Sequence, residues 1–93
     1  METFIIAGNN YHLSQYSKDF LQKYLHRVER FIKKHHLDPD LLEDIQERLV
    51  EKLNNAQKTE DKKEIKEETI VSIVNSLGEP EEIFSDFLNE EDI

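Results

Sequence analysis

Serine, histidine and carboxylate side chains are the groups of this chain that could act in catalysis. The serines stand at positions 14, 17, 72, 76 and 85, and none has an adjacent histidine in a setting that would activate a nucleophile. The carboxylates recur mainly on the solvent faces of predicted helices, whereas catalytic carboxylates converge in a cleft. Because the chain has no cysteine, thiol catalysis, disulfides and cysteine-ligated zinc are excluded. The sequence predicts a protein that is not an enzyme and binds no cofactor.

A short segment brings imidazoles and carboxylates together in the pattern His35-His36-Leu37-Asp38-Pro39-Asp40. Both groups are suitable ligands for a divalent metal. However, adjacent residues on a helix point about 100° apart, so His35 and His36 would not aim at one ion. Histidines near the carboxyl end of a helix also interact favourably with its negative end. We therefore expect no metal site in this segment.

Two rows of charge recur at helical spacing and are the candidate interaction surface. The first, called here the basic stripe, consists of Lys23, Arg27, Arg30 and Lys34. The second, called the acidic ridge, consists of Asp40, Glu43, Glu47 and Glu51, and it points away from the apolar face of its own helix. Each row could meet an oppositely charged protein surface, and the basic stripe could meet lipid phosphates. Because solvated helix faces commonly carry such rows, an ordinary solvated face is the favoured interpretation of each.

The elements that must position these rows begin with a β-hairpin over residues 3–13. Residues 3–7 are rich in β-branched and aromatic side chains, and Gly8-Asn9-Asn10 supplies residues that tolerate positive φ in a tight turn. A lone hairpin is marginal in water. The hairpin must therefore pack on helices or pair with a strand of another chain.

Apolar residues at helical spacing predict helices over residues 17–36 and 39–54. Ser14 and Ser17 are both candidate N-caps for the first helix, and Asp38-Pro39 separates the two helices with a cap followed by a first-turn proline. A short connection between amphipathic helices predicts an antiparallel helical hairpin. Residues 55–64 contain a single apolar side chain, and this predicts a mobile loop.

Two further helices are predicted over residues 67–77 and 80–89. Gly78 follows the first of them at the position where a left-handed residue commonly ends a helix, and Pro80 opens the second. The predicted fold is mainly α. An N-terminal β-hairpin is followed by an antiparallel helical hairpin and two further short helices, all around one core in a single domain over residues 1–93.

Composition limits what this domain can do. Ninety-three residues suffice for one modest core, and charged side chains make up 35% of them. The net charge is −9, and it opposes direct binding to nucleic-acid phosphates. We find neither the pattern of a secretory signal nor an apolar run long enough to cross a membrane. A cytoplasmic location is therefore expected.

Three segments together resemble a bacterial family, the helical module of membrane proteins with PspC (phage-shock-protein C) domains. The same segments are similar to the HAAS-type signalling domain that accompanies PadR-like regulators. Lys66 departs from the serine or threonine that often begins the third helix of the family. The segments are Tyr24-Leu25-x-x-Val28-x-x-Phe31, Leu42-x-x-Ile45-Gln46-Glu47-Arg48-Leu49-Val50-Glu51 and Ile73-Val74-x-x-Leu77-Gly78-Glu79-Pro80-Glu81-Glu82-Ile83.

The resemblance implies a non-enzymatic interaction and signalling module, the cytoplasmic regulatory part of an envelope-stress system at the cytoplasmic face of the membrane. Its partner would be a membrane stress protein or a PadR-like regulator, and a homodimer through the hairpin edge or exposed helix faces is a further expectation. The alternative, from another class, is a small acidic inhibitor that mimics nucleic acid and occupies a basic groove of its partner. The net charge of −9 favours this alternative, and the twelve basic residues oppose it.

Overall fold

The computed structural model describes residues 2–60 and 64–88. It begins with an antiparallel hairpin of strands β1 (Glu2–Ile6) and β2 (Asn9–Leu13). Side chains alternate between the two faces of the hairpin, as the strand repeat requires. The inner face buries Phe4, Ile6, Tyr11 and Leu13. The predicted hairpin is therefore present, and its inner face belongs to the core.

The hairpin turn lies one residue earlier than predicted. Its two central residues are Ala7 and Gly8, with φ of 49° and 79°, and Asn9 is already paired with Ile6 in the sheet. A two-residue turn with positive φ at both positions matches the right-handed twist of the flanking strands. The Asn9 amide donates to the Ala7 carbonyl at 3.1 Å, so this asparagine supports the turn from outside it.

Helix α1 (Gln15–Lys34) starts and ends two residues before the predicted bounds. Ser14 is its N-cap and accepts from the backbone N–H of Ser17 at 3.1 Å, whereas Ser17 is buried inside the first turn. At the other end, His36 adopts a positive φ of 53°, and the N–H of Leu37 donates to the carbonyl of Ile32 at 2.9 Å. This geometry is a Schellman motif, in which a left-handed residue terminates the helix.

Helix α2 (Asp40–Glu60) is longer than predicted and replaces the expected mobile loop over residues 55–60. Ala56, Gln57 and Lys58 are good helix formers, and Ala56 packs against the core. The prediction considered the scarcity of apolar residues in this segment. It did not consider that the residues present have high helix propensity. Residues 61–63 of the predicted loop lie outside the described residues. Glu64 then forms a parallel bridge with His12 on the outer side of β2.

Helix α3 (Glu67–Leu77) has the predicted bounds. Gly78 ends it with φ 90° and ψ 165°, an extended conformation open almost only to glycine, and not the left-handed helical one that we expected.

The predicted helix over residues 80–89 is interrupted. Pro80 opens helix α4 (Pro80–Ile83), and helix α5 (Ser85–Leu88) follows, while residue 89 lies outside the described residues. The break falls at Phe84, where the backbone turns and the ring is buried against Phe31.

Helices α1 and α2 run antiparallel, because a short connection joins them and their residues line shared grooves: Ile32 and Leu42 line one, and Leu25 and Gln46 line another. Helix α3 packs on both of them, and the hairpin packs on α1. Sixteen buried apolar side chains form one cluster with contributions from both strands and from α1, α2 and α3. The predicted fold class, mainly helical with an N-terminal β-hairpin and helices around one core, is confirmed.

The Schellman motif at the end of α1 predicts a stabilising substitution. His36 holds a positive φ that costs an L-residue about 1 kcal/mol, and glycine adopts it without a steric penalty. We expect His36→Gly to raise the free energy of unfolding by about 1 kcal/mol in equilibrium urea denaturation. The matched control is His35→Gly, because His35 has an ordinary φ of −100° and its ring contacts Phe31. Equal loss of stability in both variants would contradict this account.

Candidate interaction surfaces

The four residues of the basic stripe all lie exposed on α1, as the helical spacing predicted. Arg27, Arg30 and Lys34 line one wall of an open groove of about 470 Å³, whose other wall is the start of α4 with Pro80. Phe31 lies between the two walls and supplies an apolar floor. The structure therefore joins three of the four cations to a single concave surface.

Arg27 is the member of the stripe that the fold itself holds in place. Its guanidinium donates to both carboxylate oxygens of Glu79, at 3.2 and 3.3 Å, and its Cζ lies 5.6 Å from the centroid of the Tyr24 ring. Among the ion pairs of the described residues, none involves Lys23, Arg30 or Lys34. The stripe thus presents three cations that are free to meet a partner.

Tyr24 anchors α1 to the segment that carries Glu79. The ring is buried, and its hydroxyl donates to the carbonyl of Gly78 at 2.8 Å. Burial raises the pKa of Tyr24 to about 12, the nearby Glu79 carboxylate raises it as well, and the guanidinium groups of Arg27 and Arg48 lower it. Tyr24 therefore lies in the core, and the carbonyl of Gly78 gives its hydroxyl a specific partner.

The four residues of the acidic ridge are exposed on α2. Among the described residues, none of these carboxylates takes part in an ion pair. Like charges at this spacing on one helix repel each other mildly. A basic surface brought against the ridge would relieve that repulsion.

The outer face of the hairpin is a third exposed surface. Ile5 is 67% exposed, and the only other large apolar side chain exposed in the described part of the chain is Tyr16, at 57%. The outer edge of β2 is partly covered, because the N–H of Ile65 donates to the carbonyl of His12 at 3.2 Å. In the part of the chain that the structure describes, no such backbone bond reaches the outer edge of β1.

The structure adds residues that the sequence did not single out as parts of these surfaces. Glu79 holds Arg27, and Pro80 forms a wall of the groove beside the stripe. Both residues belong to the Leu77–Ile83 segment, which the sequence pattern predicts to be the end of one helix and the start of the next. Ile65, which covers the edge of β2, follows a segment predicted as loop and carries no local signal of strand pairing.

Two serine side chains and one histidine side chain take part in contacts within the fold. Ser14 donates from its hydroxyl to the Glu67 carboxylate at 2.7 Å, and Ser76 donates to the carbonyl of Ile73 at 2.8 Å. The ring of His35 lies against Phe31, with 4.3 Å between centroids. Among the side chains that the structure describes, no three of histidine, aspartate or glutamate converge as a metal-binding group. Among the described helices, none is both long and apolar enough to span a membrane.

No family model, curated protein or solved structure matches this chain. The resemblance to the PspC-associated and HAAS-type modules therefore stays a prediction.

The buried hydroxyl of Tyr24 predicts a loss of stability at high pH. Its pKa is raised from 10.0 to about 12 in the folded chain, so the unfolded chain releases this proton first as the pH rises. The contribution is fully present below pH 10 and is lost between pH 10 and 12. We expect alkaline denaturation curves of the wild type to fall more steeply through this window than those of Tyr24→Phe.

At neutral pH, Tyr24→Phe should lower the free energy of unfolding by about 1 kcal/mol, because it removes the bond to the Gly78 carbonyl. Tyr16→Phe is the control, since the side chain of Tyr16 is largely exposed. Parallel alkaline curves for the wild type and Tyr24→Phe would show that the Tyr24 phenol is not responsible.

Proposed function

We propose that the chain is a non-enzymatic protein-interaction and signalling module, the cytoplasmic regulatory part of a bacterial envelope-stress system of the PspC-like or HAAS-like type. Its partner is a membrane stress protein or a PadR-like regulator, and it does not bind nucleic acid directly. The observation that carries the proposal is the exposed basic stripe, in which Lys23, Arg30 and Lys34 make no ion pair among the described residues. These cations stand in a row on a chain of net charge −9.

The stripe supports a contact with an acidic protein surface for two reasons. Its cations lie along one rigid helix that contacts both strands and three other helices, so their relative positions are fixed before a partner arrives. The adjoining groove also supplies an apolar floor at Phe31. Charge complementarity then selects the partner and speeds association, while apolar contact contributes affinity.

Reversal of the three free cations tests the proposal. We expect Lys23→Glu/Arg30→Glu/Lys34→Glu to weaken binding to the PspC-domain protein or PadR-like regulator of the same genome by about tenfold or more, measured by calorimetry. Lys33→Glu/Lys52→Glu/Lys58→Glu is the matched control, because it changes the net charge equally at positions outside the stripe. Circular dichroism checks that both variants fold.

Equal binding by the stripe variant and its control would overturn the role of the stripe. Failure of the wild type to bind either candidate would overturn the proposed partners. A position at the cytoplasmic face of the membrane is part of the same proposal. If the chain lies there, vesicles with anionic lipid should retain the wild type more strongly than the stripe variant. Retention that does not depend on the stripe would remove the membrane-face position.

A second candidate function is the acidic inhibitor that mimics nucleic acid. It is favoured by the acidic ridge, whose exposed carboxylates form no ion pairs within the described residues. This candidate predicts capture of a nucleic-acid-binding protein that is lost at moderate salt and in Glu43→Gln/Glu47→Gln/Glu51→Gln. Capture that survives neutralisation of the ridge would exclude it.

A further inference from the structure

The two edges of the hairpin differ in what covers them. Ile6 and Asn9 flank a two-residue turn, so they form a hydrogen-bonded pair, and such pairs alternate with non-bonded ones along the strands. The backbone groups of Thr3 and Ile5 therefore point away from β2, along the outer edge of β1. On the opposite edge, the His12 carbonyl has the same outward direction, and it accepts from Ile65. This hydrogen bond agrees with the alternation of inward and outward backbone groups along the strands.

The edge of β1 lacks the features with which proteins usually block strand pairing. Natural edge strands carry lysine, proline or a β-bulge, or lie beneath another segment. β1 carries one charge, at its first residue Glu2, whose carboxylate lies 3.9 Å from the ammonium of Lys18. The strand contains no lysine and no proline, and its pairing with β2 runs without a bulge from Glu2 to Ile6. Ile5 is also largely exposed beside this edge. The outward backbone groups of β1 can therefore pair with another extended backbone.

A groove beside this edge gives an incoming strand a place to lie. Its volume is about 380 Å³, and it separates β1 from the side of α1 that carries Gln22, Leu25 and His26. Leu42 and Gln46 of α2 also line it. On one side of the groove is a strand edge that no other described segment pairs with, and on the other side is a helix. Extended peptides bind by strand addition in this arrangement.

The charge around the groove indicates what kind of segment fits it. Glu43 is a neighbour of Gln46 on the surface of α2, three residues away along the helix, and Glu47 follows Gln46 directly. Both carboxylates are exposed and form no ion pair with the described residues. The acidic ridge therefore lies next to the groove at Gln46, and basic residues that leave the groove on this side would meet it.

We propose that the groove between β1 and α1 binds an extended segment of a partner protein, which pairs with the backbone of Thr3 and Ile5 and carries basic residues onto Glu43 and Glu47. The segment alternates apolar and polar side chains, with a β-branched or aromatic residue beside Ile5. This inference deepens the proposed interaction function and rests on it, but it uses a surface separate from the basic stripe.

The test is selection from a random peptide library displayed on phage, with the full chain as bait. We expect the enriched peptides to alternate apolar and polar residues and to carry lysine or arginine at one end. Synthetic copies of them should bind about tenfold more weakly to Ile5→Pro, because proline removes an outward N–H and leaves the bonds to β2 intact. Glu43→Gln/Glu47→Gln should weaken binding and reduce its dependence on salt.

Asn10→Pro is the matched control, because Asn10 lies opposite Ile5 and its N–H points outward from the other edge of the hairpin. A measurement on the unaltered chain keeps the test independent of how proline affects folding. Amide exchange at Thr3 and Ile5 should slow when a selected peptide binds, while exchange at Asn10 stays unchanged.

Three results would overturn the inference: enriched peptides without alternation, equal loss of binding in Ile5→Pro and Asn10→Pro, or unchanged exchange at Thr3 and Ile5. If raising the concentration of the chain without peptide slows exchange at these amides, a second copy of the chain, and not a peptide, occupies the edge. None of these outcomes bears on the basic stripe. Binding to a stress protein or a PadR-like regulator that depends on Lys23, Arg30 and Lys34 would then still support the proposed function.

Discussion

The rest of the structure depends on the burial of one face of α1. Both strands, α2, α3 and α4 contact this helix, and Leu21, Tyr24 and Val28 are fully buried beneath them. In a chain of 93 residues, a single helix that every layer shares lets a small core bury enough apolar surface to be stable. A tyrosine in that core requires a partner for its hydroxyl, and the carbonyl of Gly78 supplies one. The backbone after α3 is thus held against α1.

Local patterns predicted the elements well where one strong signal governed them. Apolar periodicity located α1, and the apolar run with Gly78 after it fixed the bounds of α3. Where two signals competed, the prediction failed. Residues 55–60 are polar, which suggested a loop, yet their helix propensity and the packing of Ala56 extend α2 through them. Phe84 lies inside the helix predicted over residues 80–89, but burial of its ring coincides with a break in that helix.

The candidate surfaces were also predicted in part, and the part that was missed depends on the tertiary fold. Helical spacing was enough to place the basic stripe and the acidic ridge on exposed faces, because each row lies on one helix. The partners of those rows come from distant parts of the chain. Glu79 binds Arg27 across 52 residues of sequence, and no local pattern encodes that contact. Residues 64 and 65 likewise attach to β2 and leave the outer edge of β1 unpaired among the described residues, which is a property of the tertiary fold.

The contacts that join the two halves of the chain also affect the order of folding. Ser14 meets Glu67 across 53 residues and Tyr24 meets Gly78 across 54, so each contact closes a large loop. Such contacts are entropically costly to form, whereas the hairpin turn and the α1–α2 connection are local. The β-hairpin and the helical hairpin can therefore assemble early, and α3 joins them late. Until then the apolar face of α1 stays open, which makes the last third of the chain the part that completes the core.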